Sequence, residues 1–142
     1  MRPAAPADEA AVLALLRALH LAERGEIVPD ETLRRLFERS DFLVAQADGA
    51  VVGTLAFETY RRAGFLAGPG RAVASALAVA PGWRRRGIAS AMLARLRETL
   101  RAQGCASLSL YARDDNAGAL AFYRALGFVP EGDALTLALT PP

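Results

Sequence analysis

The chain has no lysine; all 17 of its basic residues are arginine. It can therefore supply neither a Walker lysine nor a Schiff-base lysine, which removes P-loop nucleotide hydrolysis and pyridoxal chemistry. One cysteine, Cys105, and one histidine, His20, allow no internal disulfide and no ordinary Cys/His zinc set. Cys105 reads as a small buried hydrophobe, and His20 as a surface or carbonyl-supporting residue with a catalytic role as the sharper alternative. No apolar run reaches the roughly 18 to 20 residues of a membrane span, and the N-terminus lacks the charged, apolar and small-residue segments of a signal peptide. A cytoplasmic location with no membrane partner is expected. The arginines fall mostly in ones and twos without interleaved aromatics, which describes a solvated surface and not a nucleic-acid footprint.

What is present is apolar material: 53% of 142 residues, at a formal charge of only +2. That is enough for one domain, 1–142, with a real core. A short extended lead, Met1 to Ala7, precedes a helix capped near Asp8 and running to about Glu23, with Val12, Leu15, Leu16 and Leu19 inward and Gly25 closing it. Asp30 caps a second helix to Arg39, burying Leu33, Leu36 and Phe37. Phe42 to Ala47, the Asp48-Gly49 turn and Ala50 to Tyr60 read as a hairpin. In its return strand Val51, Gly53, Leu55 and Phe57 alternate with Val52, Thr54, Ala56, Glu58 and Tyr60, so Glu58 and Tyr60 share a face.

The loop Arg61 to Gly70 leads to a strand, Arg71 to Val79, with Val73, Ser75, Leu77 and Val79 on one face and only alanines on the other, where a helix or ligand can come close. A helix follows with Ile88, Met92, Leu96 and Leu100 buried and Arg95, Arg97, Glu98 and Arg101 in water; Gly104 ends it. Then come a strand over Ala106 to Tyr111, a helix over Ala117 to Leu126 capped by Asp115 or Asn116, a strand from Phe128, and a last strand, Ala134 to Leu139, that ends the sheet. The βαβ crossover makes the 71–79 and 106–111 strands parallel.

The chemistry concentrates in Ser75 to Ser90, SALAVAPGWRRRGIAS, a strand that empties through Pro81-Gly82 into an arginine turn and a helix. The first amides of that helix have no carbonyl partner, the helix dipole adds partial positive charge, and Gly87 lets the backbone approach a ligand. This is an anion site, most often one for phosphate. A dinucleotide fingerprint is not available elsewhere: Gly68-Pro69-Gly70 lacks the third glycine and precedes a strand.

Two motifs carry a resemblance. Arg84-Arg85-Arg86-Gly87-Ile88-Ala89 matches the Arg/Gln-x-x-Gly-x-Gly/Ala pattern, and Asn116-AGALA-Phe122-Tyr123-RAL-Gly127-Phe128 matches a later helix with its Gly-Phe exit. In both, and over nearly its whole length, the chain resembles the GCN5-related N-acetyltransferase (GNAT) superfamily. The resemblance implies the family's α/β (α+β) acyl-CoA N-acyltransferase fold, a mixed and mostly antiparallel sheet of about six to seven strands with about four helices and a central parallel pair splayed at the cofactor. It implies acetyl-CoA as acetyl donor and a small-molecule or peptide amine as acceptor, with a noncatalytic acyl-CoA-binding sensor as the competing reading. A homodimer is a common assembly among such relatives.

Residue by residue, the resemblance implies that backbone groups of Leu77, Ala78 and Val79 bind the pantetheine arm, and that amides of Arg84, Arg85, Arg86, Gly87, Ile88, Ala89 and Ser90 hold the pyrophosphate. Asn116 faces the arm, with Ala119, Phe122 and Tyr123 on the helix beside the thiol. Tyr123 is the expected acid for the leaving thiolate, or else an aromatic packed on the cofactor. An amide near Val79 is the oxyanion donor. Relatives often place an acid where this chain has Val73 or Ser75, neither of which can act as a base. Glu58 then stands in through a water, with Glu26, Asp30 and Glu31 as alternatives and an already neutral amine as another. Acceptor choice is expected to rest on the 20 to 30 loop, the 61 to 70 loop and the last hairpin.

Overall fold

Helical and strand periodicities resolve, in a computed structural model describing residues 1–61, 68–113 and 115–139, into four helices and seven strands. In chain order these are β1 (Arg2–Pro3), α1 (Glu9–Arg24), α2 (Asp30–Arg39), β2 (Asp41–Ala47), β3 (Ala50–Tyr60) and β4 (Gly70–Val79). They continue with α3 (Ile88–Ala102), β5 (Cys105–Leu110), α4 (Ala117–Ala125), β6 (Val129–Glu131) and β7 (Ala134–Ala138). The strands form one sheet in the order β1-β2-β3-β4-β5-β7-β6, with β4 and β5 parallel. This is the mixed sheet that the sequence implies. Residues 62–67, most of the loop expected to shape acceptor choice, lie outside the described residues. Among the described residues no helix is long and apolar enough to cross a membrane, and no group of acidic, histidine and cysteine residues could hold a metal. The chain packs as two compact units, Met1–Phe57 with Ala76–Arg95, and Glu58–Ser75 with Leu96–Pro142.

In the first unit Val12, Leu13 and Leu16 of α1 meet Leu33 of α2, Phe42 and Val44 of β2 and Ala56 of β3. The buried stripe of α1 is thus centred on 12, 13 and 16, and Leu15 and Leu19, expected inside, fall half-buried at its margin. Ala76 packs against this cluster, which shows one use of the alanine face of β4. The β2–β3 turn places Asp48 at φ 51° and Gly49 at φ 77°, the left-handed pair that a two-residue hairpin requires. A bulge then pairs Ala45 with Gly53 but Gln46 with Val51. The extra residue moves Val51 to the α1/α2 side with Ala56, where strict alternation groups it with Gly53. Gly53 lets α3 lie close on β3, since a Cβ there would stand 3.0 Å from Met92 Sδ and 3.2 Å from Ile88 Cγ2.

Asp8 stands at the N-cap position of α1 as expected but makes no side-chain cap bond, whereas Asp30, expected as the cap of α2, does not stand at its cap. Asp30 is the first residue of α2, after Pro29 at the cap, and its carboxylate accepts from Arg17. Pro6 opens a 3-10 turn over Pro6–Asp8, and the Asp8 carboxylate folds back to accept from the Ala5 amide at 2.7 Å and from both terminal nitrogens of Arg2 at 2.6 and 2.9 Å. Arg2, and after it the Ala5 amide, hold the Asp8 carboxyl at about 2 against an ordinary 3.8. Its stabilising effect is therefore complete above about pH 4 and disappears as pH falls through 2. Asp8→Asn is expected to melt earlier than the parent near neutral pH, with the gap closing on acidification over that window. Thermal melts across pH check this; a gap independent of pH would discard the ion pair as its cause.

In the second unit β5 holds β4 on one side and β7 on the other, while β6 pairs only with β7 among the described strands. The last strand therefore does not end the sheet. β6, short and carrying Pro130 without an amide donor, takes the edge, and β7 lies inside it. Leu96, Leu100, Cys105, Leu108, Leu110, Phe128, Leu135 and Leu139 are buried here, so Cys105 is the core residue expected of it. Arg61 donates to the Gln103 carbonyl at the end of α3, satisfying a terminal acceptor. Arg97, expected in water, is half-buried, with its Nε enclosed and unpartnered among the described residues.

Candidate functional site

The arginine turn is built by one contact to β3 and four local features. The amide of Ala80 donates to the Val52 carbonyl at 2.8 Å and fixes the end of β4. Pro81–Trp83 makes one 3-10 turn. Arg84 then folds back, its Nε donating to the Val79 carbonyl at 3.2 Å, and the Arg86 guanidinium lies 4.7 Å over the Trp83 ring. Arg85 and Gly87 are both left-handed, at φ 61° and 80°. Such residues turn successive amides to one side, an arrangement that cradles anions.

The first α3 bond runs from Ala91 N to the Gly87 carbonyl at 3.0 Å. The amides of Ile88, Ala89 and Ser90 therefore precede it and have no acceptor within the helix. A Cβ at Gly87 would meet nothing within 4 Å, so the turn is open on that side. Upstream, pairing between β4 and β5 stops at Ala74 and Leu110, and β4 continues through Ser75–Val79. Leu77, Ala78 and Val79 thus lie beyond the last β5 partner.

In the second unit Asn116 caps α4, its side-chain oxygen accepting from the Ala119 amide at 3.1 Å. Tyr123 is half-buried, edge-on to Phe122 at 5.2 Å and to Phe128 at 5.8 Å between ring centroids. At the end of β3, Tyr60 donates its phenol proton to Glu58 at 2.6 Å, as two residues sharing a face can. The Arg71 guanidinium lies 5.2 Å over the Tyr60 ring. The hydrogen bond to Glu58, then its charge, push the Tyr60 phenol above its ordinary value, and Arg71 opposes them. Glu58→Gln is expected to bring Tyr60 back toward that value, seen by ultraviolet titration as the difference from a Tyr60→Phe counterpart. A Tyr60 transition at the same pH with and without the Glu58 charge would discard the coupling.

Residues 12–128 match the Acetyltransferase (GNAT) family. The chain belongs to the GNAT acetyltransferase family. An acetyltransferase of Sodalis glossinidius is 34% identical over 98 residues, 68% of this chain and 62% of that protein. One of Yersinia enterocolitica is 33% identical over 89 residues, 61% of this chain and 56% of that protein. The chain thus spans about three-fifths of the length of these relatives, 62% and 56%. A crystal structure of a GNAT family acetyltransferase from Brucella melitensis, in complex with acetyl-CoA, shares the fold with a TM-score of 0.75 at 23% identity, covering 99% of this chain and 87% of that one.

The expected site residues fall in two groups. Leu77, Ala78, Val79 and Arg84 to Ser90 belong to the first unit; Glu58, Asn116, Ala119, Phe122 and Tyr123 belong to the second. The structure joins Val79 to Arg84, Asn116 to Ala119, and Phe122 to Tyr123. Of the three turn arginines, two have local tasks on Val79 and Trp83, which the run of identical residues does not reveal. Trp83 and Arg71 were not among the expected site residues. The Trp-x-x-Arg spacing and the exposed Arg71 at a strand start are the signals that the sequence offered.

Proposed function

We propose that this GNAT domain, spanning 1–142, is an acetyl-CoA-dependent N-acetyltransferase that moves the acetyl group to a primary amine of a small molecule or peptide by direct attack in a ternary complex. It works in the cytoplasm, alone or as a homodimer, without nucleic acid or membrane. The observation that carries the reading is the turn into α3, with Gly87 left-handed and open and three helix amides lacking internal acceptors. A pyrophosphate suits that cradle: the amides from Arg84 to Ser90 would hold it, and Arg85, exposed and without a contact like those of Arg84 and Arg86 among the described residues, would draw it in.

Leu77, Ala78 and Val79 would bind the pantetheine arm as an added strand binds, through backbone groups that β5 does not use. The Asn116 cap employs only its side-chain oxygen, leaving its amide nitrogen as a donor to the arm. Ala119, small and half-buried, leaves room beside Phe122 and Tyr123 for the thiol end. In the reaction the acceptor nitrogen bonds to the acetyl carbonyl carbon and the carbon–sulfur bond breaks. Glu58 takes the amine proton through a water, the Val79 amide supports the oxyanion, and Tyr123 returns a proton to the thiolate.

Incubation with acetyl-CoA and a panel of amines, following free thiol, tests the reading; thiol release that depends on both components is expected. Tight acetyl-CoA binding with no release from any amine would favour the second reading, a noncatalytic acyl-CoA sensor. That reading draws on Val73 and Ser75, which put no acid on β4.

A further inference from the structure

In the second unit one aromatic ring meets both charges, a carboxylate at its hydroxyl and a guanidinium over its face. Glu58 accepts the Tyr60 phenol at 2.6 Å, and the Arg71 guanidinium stands 5.2 Å over the same ring. Among the described residues Arg71 makes no ion pair. Tyr60 is 45% exposed and Tyr111, near enough to influence the Tyr60 phenol, is 68% exposed.

The surrounding sheet face carries two half-buried serines beside the exposed Arg71. Arg71 is in register with Ser107 and Val73 with Ser109, which puts these side chains on one face of the parallel pair. The Ser109 hydroxyl meets Thr136 at 2.9 Å on the neighbouring strand. Arg71 is exposed, whereas its alternating neighbour Ala72 is fully buried on the opposite face. A guanidinium that, among the described residues, meets an aromatic face and no carboxylate has its planar fork of N–H donors to offer one. A cluster with a carboxylate at one end and such a fork at the other complements a zwitterion and gains little from a simple amine.

We propose that the acceptor is an amino acid or short peptide whose free carboxylate is taken by Arg71 while its amine is delivered to Glu58. This rests on the N-acetyltransferase reading and deepens it by naming the acceptor class. Arg71 is then a specificity residue and Tyr60 a positioning residue that holds the guanidinium by its face. A bidentate pair with a carboxylate adds a preference of roughly ten- to hundredfold for acceptors that carry one.

The test pairs α- and ω-amino acids and short peptides with their C-terminal amides as acceptors, comparing kcat/KM for acid over amide in the parent, Arg71→Gln and Arg71→Lys. The Arg71→Gln ratio corrects for the different amine pKa of acid and amide. The parent ratio is expected to exceed that of Arg71→Gln by roughly ten- to hundredfold, chiefly through KM, with Arg71→Lys in between. Equal ratios in parent and Arg71→Gln overturn the proposal while leaving the acetyltransferase reading intact. If no amine releases thiol, that reading fails by itself, and calorimetric titration with the same pairs decides on Arg71. Acid binding that Arg71→Gln abolishes supports the carboxylate subsite, and equal or absent binding of acid and amide overturns it.

Discussion

Tyr123→Phe is expected to lower kcat for acetyl transfer by roughly 10²–10⁴-fold while leaving acetyl-CoA affinity within about twofold. The structure keeps the backbone and ring setting of this substitution in place. Tyr123 sits in α4, whose start is fixed by the Asn116 cap, and its backbone carbonyl accepts from the amides of Leu126 and Phe128 at 3.1 Å each. Its ring is held edge-on between Phe122 and Phe128. Phenylalanine keeps those ring contacts and that backbone, so only the hydroxyl is lost. If the hydroxyl protonates the departing thiolate, its removal weakens the transition state and not the ground state, and kcat falls with kcat/KM. Steady-state kinetics across pH, with calorimetric titration of acetyl-CoA, measure both quantities. A parent-like kcat at every pH would return Tyr123 to a packing role.

Much of the fold is written in local periods, and the exceptions have local causes. The α1 and α2 stripes, the Asp48-Gly49 hairpin and the glycines at 25, 104 and 127 are legible because each depends on residues a few positions apart. Asp8 and Asp30 show where that reading stops. Asp8 holds the cap position of α1 and Asp30 misses that of α2 by one residue, yet neither carboxylate makes the cap bond; each instead meets an arginine, Arg2 or Arg17, whose position the helix pattern does not specify. The bulge at Val51 is invisible for a related reason: strand alternation is local, whereas the insertion of one residue is defined only against the partner strand. The order β5-β7-β6 likewise depends on which strand of the final hairpin pairs inward, though Pro130 marks β6 as the better edge.

The candidate site divides in the same way. The Arg84–Ala89 turn is contiguous, and its helix start, glycine and cations are all legible in sixteen residues of sequence, Ser75 to Ser90. The Tyr60–Glu58 bond is legible as an i,i+2 pair on a strand. Arg71 over Tyr60 is not, because that contact spans the loop between β3 and β4 and no spacing rule covers it. Acceptor recognition depends on such long-range contacts, which is why the donor side of the chemistry can be read first.

Gly87→Val is expected to weaken acetyl-CoA binding by roughly ten- to a hundredfold, the loss of one or two charge-assisted hydrogen bonds. The cause is conformational. A Cβ at Gly87 would meet nothing within 4 Å, so the protein itself has room for a side chain. The backbone, however, is at φ 80°, where a non-glycine residue costs about 1–3 kcal/mol and a β-branched one is a genuine outlier. The chain relieves that strain by rotating the turn toward negative φ, which re-aims the amides preceding the first α3 bond, Ala91 N to Gly87 O. Those amides are the proposed diphosphate cradle, so the loss appears in donor affinity, with Gly87→Ala between parent and valine. Gly49→Ala supplies the control: φ there is 77°, a Cβ again meets nothing, and the residue lies in the β2–β3 turn. It should lower the melting temperature comparably with Gly87→Ala and leave acetyl-CoA titrations unchanged. Equal affinities across the Gly87 series would remove the cradle, whereas a parallel loss in Gly49→Ala would assign the effect to general destabilisation. Only a loss confined to position 87 ties the left-handed glycine to the donor's phosphates.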